Sequence, residues 1–157
     1  MKIKLILVGK TDEAYLQEGI AQYRMRISHY VPFEIIEIPA QKNQVSLSQP
    51  ELRSKELQSI EKHLKPGDVV VLLDERGKEL RSVEFAAYLN KQFVAGAKTL
   101  VFIVGGAFGF DDTLKGKASY ILSLSKMTFS HQMVRLFFTE QLYRALSIIK
   151  GESYHHE

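Results

Sequence analysis

The sequence predicts an α/β fold, a mostly parallel sheet with helices on both faces. Five short apolar runs alternate with segments of helical periodicity, the order expected of strands joined by covering helices. The runs carry apolar residues at both odd and even positions, as inner strands of such a sheet do. The chain has 157 residues, 45% of them hydrophobic and 25% charged, which suits one domain spanning 1–157 with a full core.

Lys2 to Val8 reads as the first strand, with Ile3, Leu5 and Leu7 on one face and Ile6 and Val8 on the other. Gly9-Lys10-Thr11 turns the chain. Thr11 or Asp12 then caps a helix running to about His29, whose residues Tyr15, Leu16, Ile20, Tyr23 and Ile27 form a buried stripe. Pro32 leads into a strand from Phe33 to Ile38, and Pro39 ends it. Residues 40–50 are polar and lack periodicity, so they read as a surface loop. A helix follows from about Glu51 to Leu64, stopped by Lys65-Pro66-Gly67. Asp68 to Leu73 is an apolar strand, and Asp74-Glu75-Arg76-Gly77-Lys78 a charged turn at its end. Ser82 caps a helix reaching Val94. Thr99 to Val104 is the fourth strand and ends in Gly105-Gly106-Ala107-Phe108-Gly109. A short helix from Asp111 to about Ala118, a strand from Tyr120 to Leu124 and a long helix from His131 to about Ile149 complete the chain.

Composition narrows the chemistry. The absence of cysteine removes disulfide scaffolds, thiol nucleophiles and Cys-ligated metals. The five histidines show no ligand spacing, so no metal is expected. No apolar run reaches the roughly 18 residues of a membrane span. The first residues lack the cleavage site of a signal peptide, and a cytoplasmic location is expected. The net charge is +3, from 21 basic and 18 acidic residues spread evenly along the chain. Any nucleic-acid partner must therefore be held by a few placed side chains rather than by a basic stripe.

In open α/β sheets, ligands bind beyond the carboxyl ends of strands. Three ends are distinctive here: Leu73 to Gly77, Gly105 to Gly109 and Leu124 to Phe129, which together can line one crevice. The glycine cluster permits close approach of a ligand, and a tight strand-to-helix turn explains it equally well. Asp111 and Asp112 oppose a phosphate at the helix start that follows. Gly9-Lys10-Thr11 is no P-loop, because position 4 is lysine. The last helix is too apolar for one narrow stripe, so it is either buried on two sides or packed against a second subunit. Arg135 and Arg144 on it need anionic or carbonyl partners if buried, in a structural pair or a ligand contact, with the structural pair favoured. The closing Ser153-Tyr154-His155-His156-Glu157 has no role on composition alone, since terminal tails are usually disordered.

Beyond these readings, the order of several motifs resembles a known family. They are Leu73-Asp74, Gly105-Gly106-x-x-Gly109, Ser123-Leu124-Ser125-Lys126-Met127-Thr128-Phe129, Ser130 to Arg135, Glu140 to Ala145 and Tyr154 to Glu157. The first strand and Pro32 to Pro39 match as well. The chain resembles the small knotted methyltransferases of the SPOUT class, and more closely the ribosomal RNA large subunit methyltransferase H family. That family methylates N3 of a pseudouridine in 23S rRNA with S-adenosylmethionine.

The resemblance implies a C-terminal deep trefoil knot, a homodimer and a methyl-donor site within the knot. It implies donor contacts from Leu73, Gly106, Leu124, Ser125, Lys126, Met127, Thr128 and Phe129. Tyr154 and His155 become the candidate catalytic groups, one of them a general base for the N3 proton. Arg135, Arg144 and His156 become candidate contacts to the 23S rRNA, met within the large subunit or the assembled ribosome, with the partner subunit as the alternative contact of the two arginines. The family commonly has arginine where this chain has His156, and a histidine is only fractionally charged near neutrality. A non-catalytic RNA- or ribosome-binding protein on the same fold is the alternative.

Overall fold

The computed structural model describes residues 1–42 and 44–157. Its elements in order are β1 (Lys2–Val8), α1 (Ala14–Ser28), β2 (Phe33–Ile38), a 3-10 turn (Gln44–Ser46), α2 (Gln49–Glu61), β3 (Val69–Glu79), α3 (Ser82–Val94), β4 (Thr99–Val104), α4 (Asp112–Lys117), β5 (Tyr120–Ser123) and α5 (Met133–Ile149). The five strands form one sheet in the order β2-β1-β4-β3-β5. Every pairing in it is parallel. The α/β reading therefore holds, and the described strands are wholly rather than mostly parallel.

Strand alternation sorts the core into two layers. Ile3, Leu5, Leu7, Val71, Leu100, Phe102 and Val104 face α1, α3 and α5, where Ile27, Phe85, Leu89, Phe138 and Leu142 meet them. Ile6, Val8, Val70, Leu72, Val101 and Ile103 face α2 and α4, through Ile60 and Leu114. The β1 faces match the alternation of its sequence. Phe102 and Phe138 are both fully buried and stack with centroids 4.7 Å apart. Each such ring contributes about 1.5–3 kcal/mol by leaving water. Helix α5 lies between α1 and α3 and touches both. Its excess of apolar residues is thus explained by burial on two sides, although Phe137 remains 44% exposed.

Several helix starts move from their expected places, each for a visible reason. Neither Thr11 nor Asp12 caps α1. Thr11 Oγ1 accepts from Arg135 at 3.0 Å, and the Asp12 amide donates to Gln132 at 2.9 Å. Glu13 takes the cap position of α1 without a side-chain bond. Helix α2 begins earlier than Glu51, because Ser48 and Glu51 form a reciprocal capping box at 3.3 and 3.0 Å. Such a cap is worth about 1 kcal/mol. It also shortens the expected 40–50 loop, of which residue 43 lies outside the described residues. Arg81 rather than Ser82 occupies the cap position of α3, and its amide donates to Glu84 at 2.7 Å.

The charged turn expected at 74–78 is a correction to the sequence reading. The strand continues to Glu79, and Leu73 and Lys78 both sit opposite Leu122. The residues between them form an irregularity in the strand. Gly77 is needed there, because a Cβ would lie 2.5 Å from the Ile121 carbonyl oxygen.

Candidate active site

The three strand ends singled out in the sequence come together. A cleft of about 490 Å³ opens beyond β3, β4 and β5, lined by residues from all three. That volume lies within the roughly 300–1,000 Å³ of small-molecule sites. Apolar walls come from Leu73, Val104, Leu122, Leu124, Phe129 and Val134. The rim carries Asp74, Glu75 and Asp112 against Arg53, Arg76 and Lys115, so the signs nearly balance. Among the described residues no group of three or more His, Asp or Glu side chains is placed to hold a metal ion.

Of the eight expected donor-site residues, Leu73, Gly106, Leu124, Ser125, Met127, Thr128 and Phe129 line this cleft, whereas Lys126 does not and is exposed. The stretch after β5 is held by its own side chains. Ser123 Oγ donates to the Ser125 carbonyl at 2.8 Å, and the Met127 amide donates to Ser125 Oγ at 3.0 Å. Thr128 Oγ1 donates to Glu75 across the cleft mouth. These bonds fix the conformation of the stretch that carries Leu124 and Phe129 into the cleft wall.

The glycines serve the cleft differently from their sequence reading. Only Gly109 of the cluster has a left-handed backbone, at φ +77°. Gly105 and Gly106 are required for room instead. A Cβ on Gly105 would lie 2.9 Å from the Phe110 ring, and one on Gly106 would lie 2.5 Å from Glu56 Oε1. The missing atoms make space for protein, not for ligand.

Arg135 is fully buried. It donates to the carbonyl oxygens of Val8 at 2.8 Å, Gly9 at 2.9 Å and His131 at 2.8 Å, besides Thr11 Oγ1. Burial pulls its pKa down from the ordinary arginine value, partly offset by Glu37 and Asp12. Four of its five N–H donors are taken inside the protein, so the guanidinium ties α5 to the end of β1. The sequence argument for a structural role therefore applies to Arg135, with carbonyls in place of a carboxylate.

The tail is ordered against α5. Tyr154 Oη donates to Glu140 at 2.9 Å, and its ring meets Tyr143 edge-on at 4.6 Å. Arg144 pairs with Glu140 at 2.6 Å and lies over the Tyr154 ring at 4.7 Å. Burial, then hydrogen bonds to Tyr23 and Glu140, hold the Tyr154 phenol protonated well above its ordinary range. His155 Nδ1 lies 3.4 Å from Arg144 Nη1. Arginine only donates, so a neutral His155 carries its proton on Nε2, a buried atom without a hydrogen-bond partner in this arrangement. His156 is exposed, and Glu157 reaches Arg81 at 3.0 Å. None of the tail residues lines the cleft.

Sequence reasoning missed Glu56 and Arg53. The readable signal was spacing: Leu52, Glu56 and Ile60 recur every four residues, so an acid stands in the buried stripe of α2.

The fold and cleft define a parallel α/β protein with a cleft at its strand ends. Residues 1–155 match the family model described as predicted SPOUT methyltransferase, and the chain belongs to that family. It is 52% identical over 157 residues to ribosomal RNA large subunit methyltransferase H of Parabacteroides distasonis, covering 100% of both chains. It is 51% identical to the protein of that name from Cytophaga hutchinsonii, covering 99% of this chain and 100% of the relative. A crystal structure of a probable methyltransferase from Bordetella pertussis Tohama I shares the fold, with TM-score 0.57 and 15% identity over 92% of this chain and 94% of that one.

Proposed function

We propose that the chain, as one domain over residues 1–157, transfers a methyl group from S-adenosylmethionine to N3 of a pseudouridine in 23S rRNA. The observation that carries this reading is the strand-end cleft, built from the same three stretches that match the family. The reading includes the C-terminal deep trefoil knot and a homodimer that works in the cytoplasm on the large subunit or the assembled ribosome.

S-adenosylmethionine supplies a sulfonium-activated methyl group. The chain's own task is to hold the donor, align the uracil-type N3 and manage its proton. Leu73, Leu124 and Phe129 form apolar walls around the donor. Fixing both reactants contributes several kcal/mol of barrier reduction, on the order of the effective-molarity effect. Tyr154 and His155 lie away from their own cleft, so they act on a second copy's cleft in the homodimer. The raised pKa keeps the Tyr154 phenol protonated, with its single O–H directed at Glu140. His155 faces Arg144 through Nδ1, and acting as a base on a second copy requires that contact to break. Exposed Phe137, stacked on Phe129 at 4.9 Å, marks an apolar surface beside the cleft that suits a second copy. Arg144 and His156 remain the candidate rRNA contacts.

Calorimetry with S-adenosylmethionine tests the donor site. Methyl transfer to ribosomal subunits, whole ribosomes and naked rRNA tests the substrate. Donor binding and a single methylpseudouridine product are expected. Tight rRNA binding with neither donor binding nor transfer would establish the non-catalytic alternative.

A further inference from the structure

Glu140 on α5 faces the tail, and its side chain is 18% exposed. Three donors converge on its Oε1. Tyr154 Oη donates at 2.9 Å, Arg144 Nε at 3.1 Å and Arg144 Nη2 at 2.6 Å. The second oxygen, Oε2, accepts from Gln141 Nε2 at 2.9 Å. Gln141 Oε1 in turn accepts from Ser82 Oγ at the start of α3, at 3.1 Å. The carboxylate is therefore anchored toward α3 while it holds the tail.

An acid and an arginine four residues apart on a helix are ordinarily a solvated pair of little worth. This pair differs in two ways. Its arginine is only 24% exposed, and a tyrosine fourteen positions further on shares the acid. While bound to Glu140, Arg144 lies over the Tyr154 ring at 4.7 Å and places Nη1 3.4 Å from His155 Nδ1. Past Glu152, whose amide donates to the Ser147 carbonyl at 3.0 Å, no backbone hydrogen bond holds the tail among the described residues. Side chains hold it there, and Glu140 is the one that takes the Tyr154 hydroxyl. The phenol, the guanidinium and, through the guanidinium, the imidazole take their places from one carboxylate.

We propose that Glu140 is a positioning residue for the substrate-side groups, setting Tyr154 and Arg144, and through Arg144 His155, in one fixed arrangement. This rests on the reading of the tail as the part that meets the pseudouridine. Glu140 touches neither donor nor substrate. It lies outside the cleft and acts through the groups it holds.

The test uses the full-length protein and the variants Glu140→Ala and Glu140→Gln. Alanine removes both acceptor oxygens. Glutamine keeps one for the Tyr154 hydroxyl but loses the charge that pairs with Arg144. Methyl transfer is measured on assembled ribosomes and on large subunits that lack the modification, at saturating substrate and donor. Turnover should fall about a hundredfold in Glu140→Ala, the scale of a misplaced reacting group, and about tenfold in Glu140→Gln. Calorimetric affinity for S-adenosylmethionine should stay within about threefold of the parent in both, a split that a general loss of structure would not give. Carboxypeptidase digestion without substrate reads the tail itself. Residues 154–157 should be trimmed at least about tenfold faster in Glu140→Ala and at an intermediate rate in Glu140→Gln. Thermal unfolding identifies a variant that fails to fold, and the other variant then decides. Parent-like turnover or parent-like trimming in the deciding variant overturns the proposal. So does a loss of donor affinity as large as the loss of turnover. Failure of the parent to methylate either particle overturns the proposed function instead, and trimming then decides what Glu140 holds.

Discussion

Arg135 on α5 donates to the carbonyl oxygen of Val8 at the end of β1, 2.8 Å away and 127 positions earlier in the chain. The bond closes the first strand against the last helix from inside the core. Its neighbours on Gly9 and Thr11 make the turn after β1 part of the same lock.

Arg135→Lys should therefore be a stability variant. Lysine keeps the charge but cannot reach four divergent acceptors, and a buried charge with lost partners is costly. A loss of about 3 kcal/mol is expected in urea unfolding. An rRNA contact at this position would instead leave the unfolding midpoint alone and weaken substrate binding.

Removing Tyr154 to Glu157 should abolish methyl transfer while sparing donor binding. The tail lies outside the cleft, so calorimetric affinity for S-adenosylmethionine should persist. The lost Tyr143 stack and Glu140 bond should cost about 1–2 kcal/mol of stability. Full transfer by the truncated protein would remove Tyr154 and His155 from the chemistry.

Gly106→Val should weaken donor binding by at least about tenfold, the scale of an overpacked buried site. The clash falls on Glu56 behind the loop. Combining it with Glu56→Ala should then return part of the affinity, a coupling expected only of touching residues. Strict additivity of the two losses would place the clash elsewhere.

Glu56 also makes a pH prediction. Its folded pKa lies above the ordinary glutamate value because burial disfavours the charge. The folded state therefore holds the proton more tightly than the unfolded state does. The stabilising contribution is complete below the unfolded pKa of about 4.3 and is lost as pH rises through the elevated folded value. The difference in unfolding free energy between the parent and Glu56→Gln should thus move against the parent as pH increases above about 4.3. A flat difference would show that the carboxylate titrates normally.

The match between sequence and structure is closest where the information is local. The bounds of β1, β2 and β4 follow from apolar alternation and agree with the structure residue for residue. The charged stretch 74–78 misled because its polarity resembles a turn, while its conformation is set by pairing with β5. The crevice was legible because strand ends in a parallel sheet converge. Its support was less so: Glu56 is separated from Gly106 by fifty positions, and only its place in an apolar stripe hinted at a buried partner.

The sequence by itself determined which segments are strands and helices, since those patterns depend on neighbours within a turn or two of chain. It also determined the family, through the order of its motifs. Only the tertiary structure decided that β1 lies between β2 and β4, that Arg135 belongs to the core, that the tail is pinned to Glu140 and that Glu56 packs against Gly106. The physical reason is separation. Each of these contacts joins groups that no local periodicity relates, and each exists because packing the two layers on the sheet leaves one place for a buried polar group to find its partner.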